Sequence, residues 1–473
     1  MLIIIGIVLS VLYVLGIISA FHAVIYNRTS QGAIAWALSL LSFPFIAVPA
    51  YWIFGRKKFE GYVLARKKLL DNQEDDPADM VTHIKPYVVS QQELNPQIHA
   101  AERMARVPLV TGNYCELLIN GEATFDSIFA GIEQAKDYVL VQFYIVRPDG
   151  LGNRLKNLLI EKARQGVRVF FLYDELGSVG IGTSYIQQLQ EANVVVHPFN
   201  TRKGIHNLFQ VNFRNHRKVV VVDGQVAWIG GHNVGDEYLG KDEKMSPWRD
   251  THVKISGPAA LAAQVSFLED FRWAADYFPD LTWQITAQHD EQQPVLIVPT
   301  GPADEMDTAL LMFSHIINNA EHRIWISTPY FVPDESVILA LKLARLRGVD
   351  VRIIVPEVPD NLLTYFAAFS FFDDLVNSGV NFYRYQVGFT HQKVLLVDDN
   401  LSSIGTANFD NRSFRLNFEI TALVGSEEFA KDVQSMFESD FGRSTMMNDD
   451  DYSNKSIWFK FAVNACRLFA PVL

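Results

Sequence analysis

Two long apolar segments open the chain. Residues 2–26 and 33–54 contain no charged side chain, and about 20 apolar residues in a helix are enough to cross a bilayer. Because only a short link separates them, residues 1–58 are predicted to form a transmembrane helical hairpin. Pro44 and Pro49 lie in the second segment, where a kink is tolerated inside lipid. A cleaved signal peptide is the weaker alternative for the first segment, which lacks a basic start.

Basic residues mark one end of this hairpin. The second segment is followed by Arg56, Lys57, Lys58, Arg66, Lys67 and Lys68, whereas the link holds only Arg28. The positive-inside rule therefore predicts that the bulk of the chain lies in the cytoplasm. Residues 59–110 show a helical pattern and then a loop, with an acidic run at 74–79 that is typical of a solvated linker.

After residue 110 the pattern alternates between strands and helices, and it does so twice. The elements predicted in the first half are a strand at 138–146, a helix at 151–165 and a strand at 167–173. Those in the second half are a strand at 324–332, a helix at 336–347 and a strand from 348. A duplicated α/β sandwich is therefore predicted, with one repeat over 111–288, the other over 289–447, and a polar boundary at 286–294.

The end of the chain has apolar residues at helical spacing. They are Trp458, Phe461, Ala462, Ala465, Leu468, Phe469 and Val472. Residues 448–473 are therefore predicted to form an amphipathic helix. Two interpretations stay open at this point: the helix lies on a membrane surface, or it docks on the core of the protein itself.

A short polar pattern precedes a buried strand in both repeats. Residues 215–223 are NHRKVVVVD, and residues 390–398 are THQKVLLVD. The positions His216, Lys218, Asp223, Gly230 and Asn233 are each 175 residues before His391, Lys393, Asp398, Gly405 and Asn408. A lone HxK is usually a hydrogen-bonded core histidine, but a chance match would not carry its flanks along.

The residue types in this pattern suit phosphate chemistry. Residues two apart on a strand share a face, so each histidine and its lysine point the same way. A neutral imidazole is a competent nucleophile or proton carrier near pH 7, and a lysine stabilises negative charge that develops on a phosphoryl oxygen. Protonated lysine is a poor metal ligand, so the sequence favours chemistry with no metal and no cofactor.

The paired HxKxxxxD motifs, each followed by GxxN, resemble the phospholipase D superfamily. The resemblance covers most of residues 114–442 and implies an α/β fold, with two tandem phospholipase D-like sandwich repeats related by a pseudo-two-fold axis. It also implies that one histidine attacks phosphorus and the other protonates the leaving alcohol. His216 is the expected nucleophile and His391 the expected acid, although the sequence does not fix that order.

The same resemblance assigns the surrounding residues. Asn233 and Asn408 are expected to bind phosphate, together with Thr406, which stands where the first repeat has Gly231. Glu419 is expected to orient His391, and Asp250 is expected to orient His216. Asp223 and Asp398 complete the catalytic motifs, and we expect them to be structural partners rather than participants in the chemistry.

Composition narrows the class of substrate. The 473 residues contain 53 acidic and 41 basic side chains, a net charge of −12, so no overall basic surface for nucleic acid is expected. The cluster Arg202, Lys203, His206, Arg214 and Arg217 is a candidate contact for lipid headgroups, or an ordinary solvated loop. Two cysteines, Cys115 and Cys466, indicate no disulfide framework.

Taken with the apolar hairpin, the motifs make the chain similar to bacterial cardiolipin synthases of the two-motif, membrane-anchored type. That resemblance implies a multi-pass protein of the bacterial inner membrane that acts on phosphatidylglycerol and contacts anionic lipid. It implies transfer of a phosphatidyl group between two phosphatidylglycerol molecules, giving cardiolipin and glycerol through a phosphohistidine. The alternatives are a phospholipase D, another phosphatidyltransferase, or a membrane-tethered phosphodiesterase or nuclease.

Overall fold

A computed structural model describes residues 1–27, 29–64, 82–90, 96–200, 202, 210–285, 292–448 and 450–473. Its helices are α1 (Leu2–Tyr26), α2 (Ser30–Ser42), α3 (Pro44–Phe54), α4 (Pro96–Ala105), α5 (Asn120–Glu133), α6 (Gly150–Arg164), α7 (Thr183–Glu191), α8 (Ala259–Ala275), α9 (Thr308–Asn318), α10 (Glu335–Leu346), α11 (Leu362–Val376), α12 (Asn411–Arg415), α13 (Glu427–Phe441), α14 (Asp450–Ser453) and α15 (Ile457–Arg467). Arg28, Arg66, Lys67, Lys68, the acidic run at 74–79 and most of the predicted boundary at 286–294 lie outside the described residues.

The strands of the first half are β1 (Val110–Ile119), β2 (Tyr138–Phe143), β3 (Arg168–Asp174), β4 (Val195–Phe199), β5 (Arg214–Asn215), β6 (Val219–Val222), β7 (Val226–Gly230), β8 (Trp248–Arg249) and β9 (Thr251–Ser256). Those of the second half are β10 (Gln293–Thr300), β11 (Arg323–Ser327), β12 (Phe331–Val332), β13 (Asp350–Pro356), β14 (Asn381–Tyr385), β15 (Phe389–Thr390), β16 (Val394–Val397), β17 (Leu401–Gly405), β18 (Phe409–Asp410), β19 (Asn417–Val424) and β20 (Ser444–Met446).

One continuous sheet runs through both repeats. Its order is β20-β14-β13-β11-β16-β17-β19-β10-β1-β9-β7-β6-β2-β3-β4, so the halves meet where β1 and β10 pair antiparallel. Counted outward from that pair, the strands of the first repeat are β1-β9-β7-β6-β2-β3-β4. The corresponding strands of the second repeat follow in the same order, β10-β19-β17-β16-β11-β13-β14, with β20 added at the edge. This confirms the predicted duplicated α/β fold and gives it an approximate two-fold relation. The two motif strands, β6 and β16, form antiparallel hairpins with β7 and β17, as the turn residues after them predict.

Short strands tie each repeat to the other at the motifs. β5, just before His216, pairs in parallel with the start of β19. β15, just before His391, pairs in parallel with β8 at the start of the corresponding strand in the first repeat. The backbone N–H of His216 donates to Phe418 O at 2.9 Å, and that of His391 donates to Arg249 O at 2.8 Å. Each motif histidine is therefore held by backbone from the opposite repeat.

The first apolar segment forms the long helix α1, and residues 6–26 within it are long and apolar enough to cross a membrane. The second segment differs from the prediction because it is not one helix. It breaks at Phe43, and Pro44 begins the separate helix α3, as expected where proline lacks the N–H that would continue a helix. α2 and α3 pack on α1 around the buried residues Leu40 and Tyr51.

The C-terminal helix α15 is shorter than predicted and lies against the protein. Phe459 contacts the rings of Phe366 and Phe369 on α11, and Val463 is fully buried. The docked interpretation is therefore confirmed for this face. The other face keeps large apolar side chains in the open, with Trp458 78% and Phe461 66% exposed.

Candidate active site

His216 lies at the interface of the repeats, with its ring fixed from the opposite half. Its Nδ1 is 2.9 Å from Oε2 and 3.0 Å from Oε1 of Glu419. Glu419 is fully buried, and its Oε1 also accepts a hydrogen bond from Asn417 Nδ2 at 3.1 Å. An ionised Glu419 requires the His216 proton to be on Nδ1, which leaves Nε2 with a free lone pair.

His391 has the matching arrangement. Its Nδ1 lies 2.7 Å from Oδ2 of Asp250, a fully buried carboxylate whose Oδ1 accepts the N–H of Thr251 at 2.8 Å. A Cβ at Gly231 would lie 2.0 Å from Oδ1 of Asp250. Glycine is therefore needed at position 231, because the Asp250 side chain is shorter than that of Glu419 and brings its carboxylate close to the backbone there.

The expected pairing of carboxylates and histidines is wrong. Glu419 orients His216 rather than His391, and Asp250 orients His391 rather than His216. The reason is the strand exchange, because β5 pairs with the strand that carries Glu419 and β15 pairs with β8 beside Asp250. Each half of the site is therefore incomplete without the other repeat.

The two lysines are buried beside the histidines, as the shared strand face predicts. Lys218 Nζ donates to His216 O at 2.7 Å and lies 5.4 Å from the ring centre of Tyr144. Lys393 Nζ donates to His391 O at 2.6 Å and lies 2.9 Å from His391 Nε2. Lys218 is fully buried and Lys393 is nearly so. Their positive charges are concentrated where an anion would reach both imidazoles.

Burial controls protonation in the site. It lowers the pKa of His216 to about 4, with Lys218 adding to the effect and Glu419 opposing it. Burial, followed by the charges of Lys393 and Lys218, holds the pKa of His391 well below its usual value. Burial also lowers the pKa of Lys218 to about 7 and that of Lys393 to about 8. The unliganded site therefore favours neutral imidazoles, and a bound phosphate would restore positive charge.

The motif aspartates support the fold, as expected for structural partners. The Asp223 carboxylate accepts the backbone N–H groups of Lys136, Asp137 and Tyr138 at 2.8–2.9 Å. The Asp398 carboxylate accepts those of Glu321, His322 and Arg323 at 2.7–3.2 Å. Both aspartates have φ near +50°, at the turn after each motif strand. They fix the start of the neighbouring strand and contact neither histidine within hydrogen-bond distance.

The two asparagines lie where the motif predicts, with part of their amides engaged. Asn233 Oδ1 accepts from Ile145 N at 3.1 Å, and its Nδ2 donates to Tyr238 Oη at 3.0 Å. Asn408 Nδ2 donates to Asp410 Oδ2 at 3.1 Å. An amide nitrogen has two N–H groups, so each asparagine retains one for a ligand. Phosphate binding by both stays a prediction.

The Thr406 hydroxyl is engaged with the backbone of β19. It accepts Ile420 N–H at 2.9 Å and donates to Ile420 O at 3.3 Å. A hydroxyl has one proton to donate, so Thr406 would bind phosphate only by giving up the contact with Ile420 O. Phosphate binding by Thr406 stays a prediction.

The residues of the cluster predicted to contact lipid headgroups lie in different environments. Arg217 is buried, with Nη1 3.0 Å from Asp270 Oδ2, so it does not face lipid. Arg202 pairs with Glu175 at the surface, and Arg214 is half-buried. Lys203 and His206 lie outside the described residues.

Several residues near the motifs were missed from the sequence. Tyr144 places its ring 5.0 Å from that of His216, and Trp248 places its ring 5.3 Å from that of His391. Tyr330 hydrogen-bonds to Asp360, a carboxylate whose charge acts on Lys393. The only sequence signal was position, because Tyr144 and Tyr330 lie near the ends of corresponding predicted strands, 138–146 and 324–332, and the structure places them just after β2 and β11.

No group of three or more His, Cys, Asp or Glu side chains placed to hold a metal ion occurs in the described part of the chain. The metal-free chemistry inferred from the lysines stays a prediction. What the arrangement offers is two imidazoles beside two buried lysines, a set that can supply a nucleophile and a proton carrier to a phosphodiester.

Comparison with known proteins agrees with this site. Residues 128–257 and 313–441 match the family model described as cardiolipin synthase, PLD-like domain. Residues 11–56 match the model described as phospholipase D-nuclease N-terminal. The two matched stretches of the first model contain one motif each.

Relatives of known name match over almost the full length. The chain is 46% identical over 473 residues to cardiolipin synthase A of Pseudomonas putida strain GB-1, covering 99% of this chain and 98% of that protein. It is 44% identical to cardiolipin synthase A of Pseudomonas aeruginosa strain LESB58, covering 99% and 96%.

A solved structure shares the fold. Phosphatidylserine synthase of Haemophilus influenzae Rd KW20 aligns with a TM-score of 0.59 and 18% identity, covering 80% of this chain and 100% of that chain. At this identity the likeness concerns the fold alone. With the duplicated motif, the exchanged carboxylates and the full-length matches, the chain belongs to the cardiolipin synthase family of phospholipase D-like proteins.

Proposed function

We propose that this protein is a cardiolipin synthase that transfers a phosphatidyl group from one phosphatidylglycerol to another and releases glycerol. The observation that carries the proposal is the pair of imidazoles, each with Nδ1 on a buried carboxylate of the opposite repeat. With Nδ1 of each ring held, the two Nε2 atoms are left for two proton-coupled steps at one phosphorus, and that of His391 contacts Lys393 Nζ in the unliganded site. The full-length relatives are named cardiolipin synthase A, which supports a phospholipid substrate, and phosphatidylglycerol is the lipid that the family resemblance implies.

In the first step, His216 Nε2 attacks the phosphorus of the donor lipid and the bond from phosphorus to the glycerol oxygen breaks. His391, protonated when the anionic lipid binds, gives its proton to that oxygen, and glycerol leaves. The phosphatidyl group remains on His216 as a phosphohistidine. Lys218 and Lys393 stabilise the charge on the phosphoryl oxygens.

In the second step, a hydroxyl of another phosphatidylglycerol attacks the phosphohistidine. His391 Nε2 takes the hydroxyl proton, the bond between phosphorus and nitrogen breaks, and cardiolipin leaves. His391 is then protonated and His216 is free, so the site is ready for the next cycle. We assign His216 as the nucleophile because Lys393 Nζ lies 2.9 Å from both ring nitrogens of His391, whereas Lys218 Nζ contacts the backbone O of His216 rather than its ring.

The protein is membrane-associated, and we extend this to a two-segment anchor with the catalytic repeats in the cytoplasm. Arg56 and Lys57 follow α3 directly, and Lys58 Nζ donates to Glu305 O at 2.9 Å, joining the end of the anchor to the second repeat. A cysteine placed at Ser30, the first residue of α2, should react with an impermeant thiol reagent in spheroplasts. A cysteine at exposed Leu346 should react only after lysis, and the reverse pattern would overturn the orientation.

The activity test incubates detergent-purified protein with labelled phosphatidylglycerol, without added metal, and resolves lipids and glycerol. Wild-type protein should give cardiolipin and glycerol in equal amounts. His216→Ala and His391→Ala should reduce turnover at least about 10³-fold. His83→Ala, at an exposed histidine, is the control that should keep full activity. Phosphatidic acid as the sole lipid product would show a hydrolase, and no turnover with phospholipid would overturn the proposal.

A further inference from the structure

Two arginines lie together at the edge of the His216 half of the site, and both are half-buried. The contacts of their guanidinium groups are Arg412 to Asn212 Oδ1 at 3.1 Å, Arg412 to Asn212 O at 2.6 Å, Arg412 to Val472 O at 3.1 Å and Arg214 to Phe213 O at 2.8 Å. All of these acceptors are uncharged. Within the described ranges, neither guanidinium has a carboxylate in salt-bridge distance.

The like charges of the two arginines act on one another. Burial, followed by the charge of Arg214, lowers the pKa of Arg412, and this outweighs the opposing effect of Asp410 and Glu419. Two neighbouring guanidinium groups that carry no bound carboxylate form a site of positive potential. An anion between them would relieve the repulsion and accept the remaining N–H groups in the geometry that phosphate prefers.

This pair is joined to the reacting centre through Tyr144. Burial raises the pKa of its phenol and the charges of Arg214 and Arg412 both act on it, and its ring lies 5.0 Å from the ring of His216. Arg214 belongs to β5 and precedes His216 by two positions, so on extended backbone the two side chains leave the same face about 7 Å apart. A ligand on His216 therefore has room for a second charged group within reach of the arginines.

Resting on the proposed function, we propose that Arg214 and Arg412 bind the phosphodiester of the acceptor lipid. The attacking hydroxyl of phosphatidylglycerol is connected to its own phosphate by a three-carbon glycerol unit. When that hydroxyl reaches phosphorus on His216, the acceptor phosphate must lie a few ångströms away. The arginines provide an anion site on that side, whereas on the His391 side the charge of Asp360 acts on Lys393.

The consequence is selection of the acceptor. A phospholipid gains the arginine contact, while water and free glycerol do not, because neither carries a phosphate. The subsite therefore favours cardiolipin formation over hydrolysis and over return of glycerol to the intermediate. The carboxylate of Asp360, which accepts a hydrogen bond from the Tyr330 hydroxyl, makes the opposite side less favourable for the same anion.

The test compares two acceptors with one donor. Exchange of labelled glycerol into phosphatidylglycerol needs only the first half-reaction and its reverse, with an acceptor that has no phosphate. Cardiolipin formation needs the phosphorylated acceptor. Arg214→Gln and Arg412→Gln should lower the ratio of cardiolipin formation to glycerol exchange about tenfold or more, with exchange kept within about twofold of wild type. Arg214→Lys should recover part of the ratio because it restores the charge.

Arg154→Gln is the matched control, since Arg154 is exposed and pairs only loosely with Asp126 at 3.4 Å; its ratio should not change. Arg412 also holds the chain end through Val472 O, so Arg214→Gln is the decisive variant. An unchanged ratio in Arg214→Gln, or equal losses of both activities in a folded protein, would overturn the acceptor subsite. If wild-type protein forms no cardiolipin, the proposed function itself fails, which is a separate result.

Discussion

His216 and Glu419 are 203 positions apart in the chain, yet the imidazole Nδ1 lies 2.9 Å from the carboxylate. The corresponding pair, His391 and Asp250, crosses between the repeats in the opposite direction at 2.7 Å. The active site is thus built from two exchanged contacts about the approximate two-fold axis. Neither repeat can orient its own histidine, which couples catalysis to association of the two halves.

The exchange predicts the effect of removing one carboxylate. In Glu419→Gln the amide can still contact His216 but cannot stabilise its proper tautomer as a carboxylate does, so turnover should fall about 10²–10⁴-fold. Asp250→Asn should cause a loss in the same range through His391. The measurement is cardiolipin formation by purified protein. Formation of the phosphohistidine from labelled donor should be slowed in Glu419→Gln, and a normal rate there would contradict the assignment of Glu419 to His216.

The pKa of His216 predicts the acid limb of the pH profile. His216 must be neutral to attack, and burial lowers its pKa to about 4. The pH dependence of kcat/KM reports ionisations of the free enzyme. The value of kcat/KM should therefore persist below pH 6.5 and decline only as the pH approaches 4. Glu419 raises this pKa, so the residual activity of Glu419→Gln should show an acid limb at still lower pH. A wild-type limb near pH 6.5 would contradict the buried, neutral state of His216.

Much of this site follows from the sequence. The repeated motif located both histidines and both lysines, and the strand period placed each pair on one face. The hairpins after Asp223 and Asp398 followed from turn residues. The orienting carboxylates were identified as Asp250 and Glu419, but each was assigned to the wrong histidine.

The remaining features depend on contacts between distant segments. Spacing along the chain describes one repeat at a time, whereas the pairing of β5 with β19 and of β15 with β8 is set by packing of the two repeats. Arg412, which we propose for the acceptor subsite, lies on the short helix α12 after the second motif, with no periodic pattern to mark it. The break at Pro44 was foreseen as a kink, but its separation of α2 from α3 depends on packing against α1.

The role of Asp398 can be separated from catalysis. Asp398→Asn tolerates the positive φ but loses the charge that accepts three backbone N–H groups, at a cost of about 1–3 kcal/mol. The thermal midpoint of the detergent-solubilised protein should fall by several degrees, with turnover of the folded protein within about threefold of wild type. Asp126→Asn, at an exposed aspartate, should leave the midpoint unchanged. A large loss of turnover at a normal midpoint would instead indicate direct participation.

The exposed face of α15 predicts contact with lipid. Trp458 and Phe461 are 78% and 66% exposed beside a docked face, and burying such side chains contributes about 1.5–3 kcal/mol each. In proteoliposomes containing brominated lipid, Trp458→Phe should remove a quenched component of the tryptophan fluorescence. Replacing both residues by serine should also lower the rate of cardiolipin formation in vesicles more than in detergent micelles. Val179→Ser, at another exposed apolar residue, is the control; equal effects of the two changes in vesicles, or an unquenched Trp458, would show that α15 faces water.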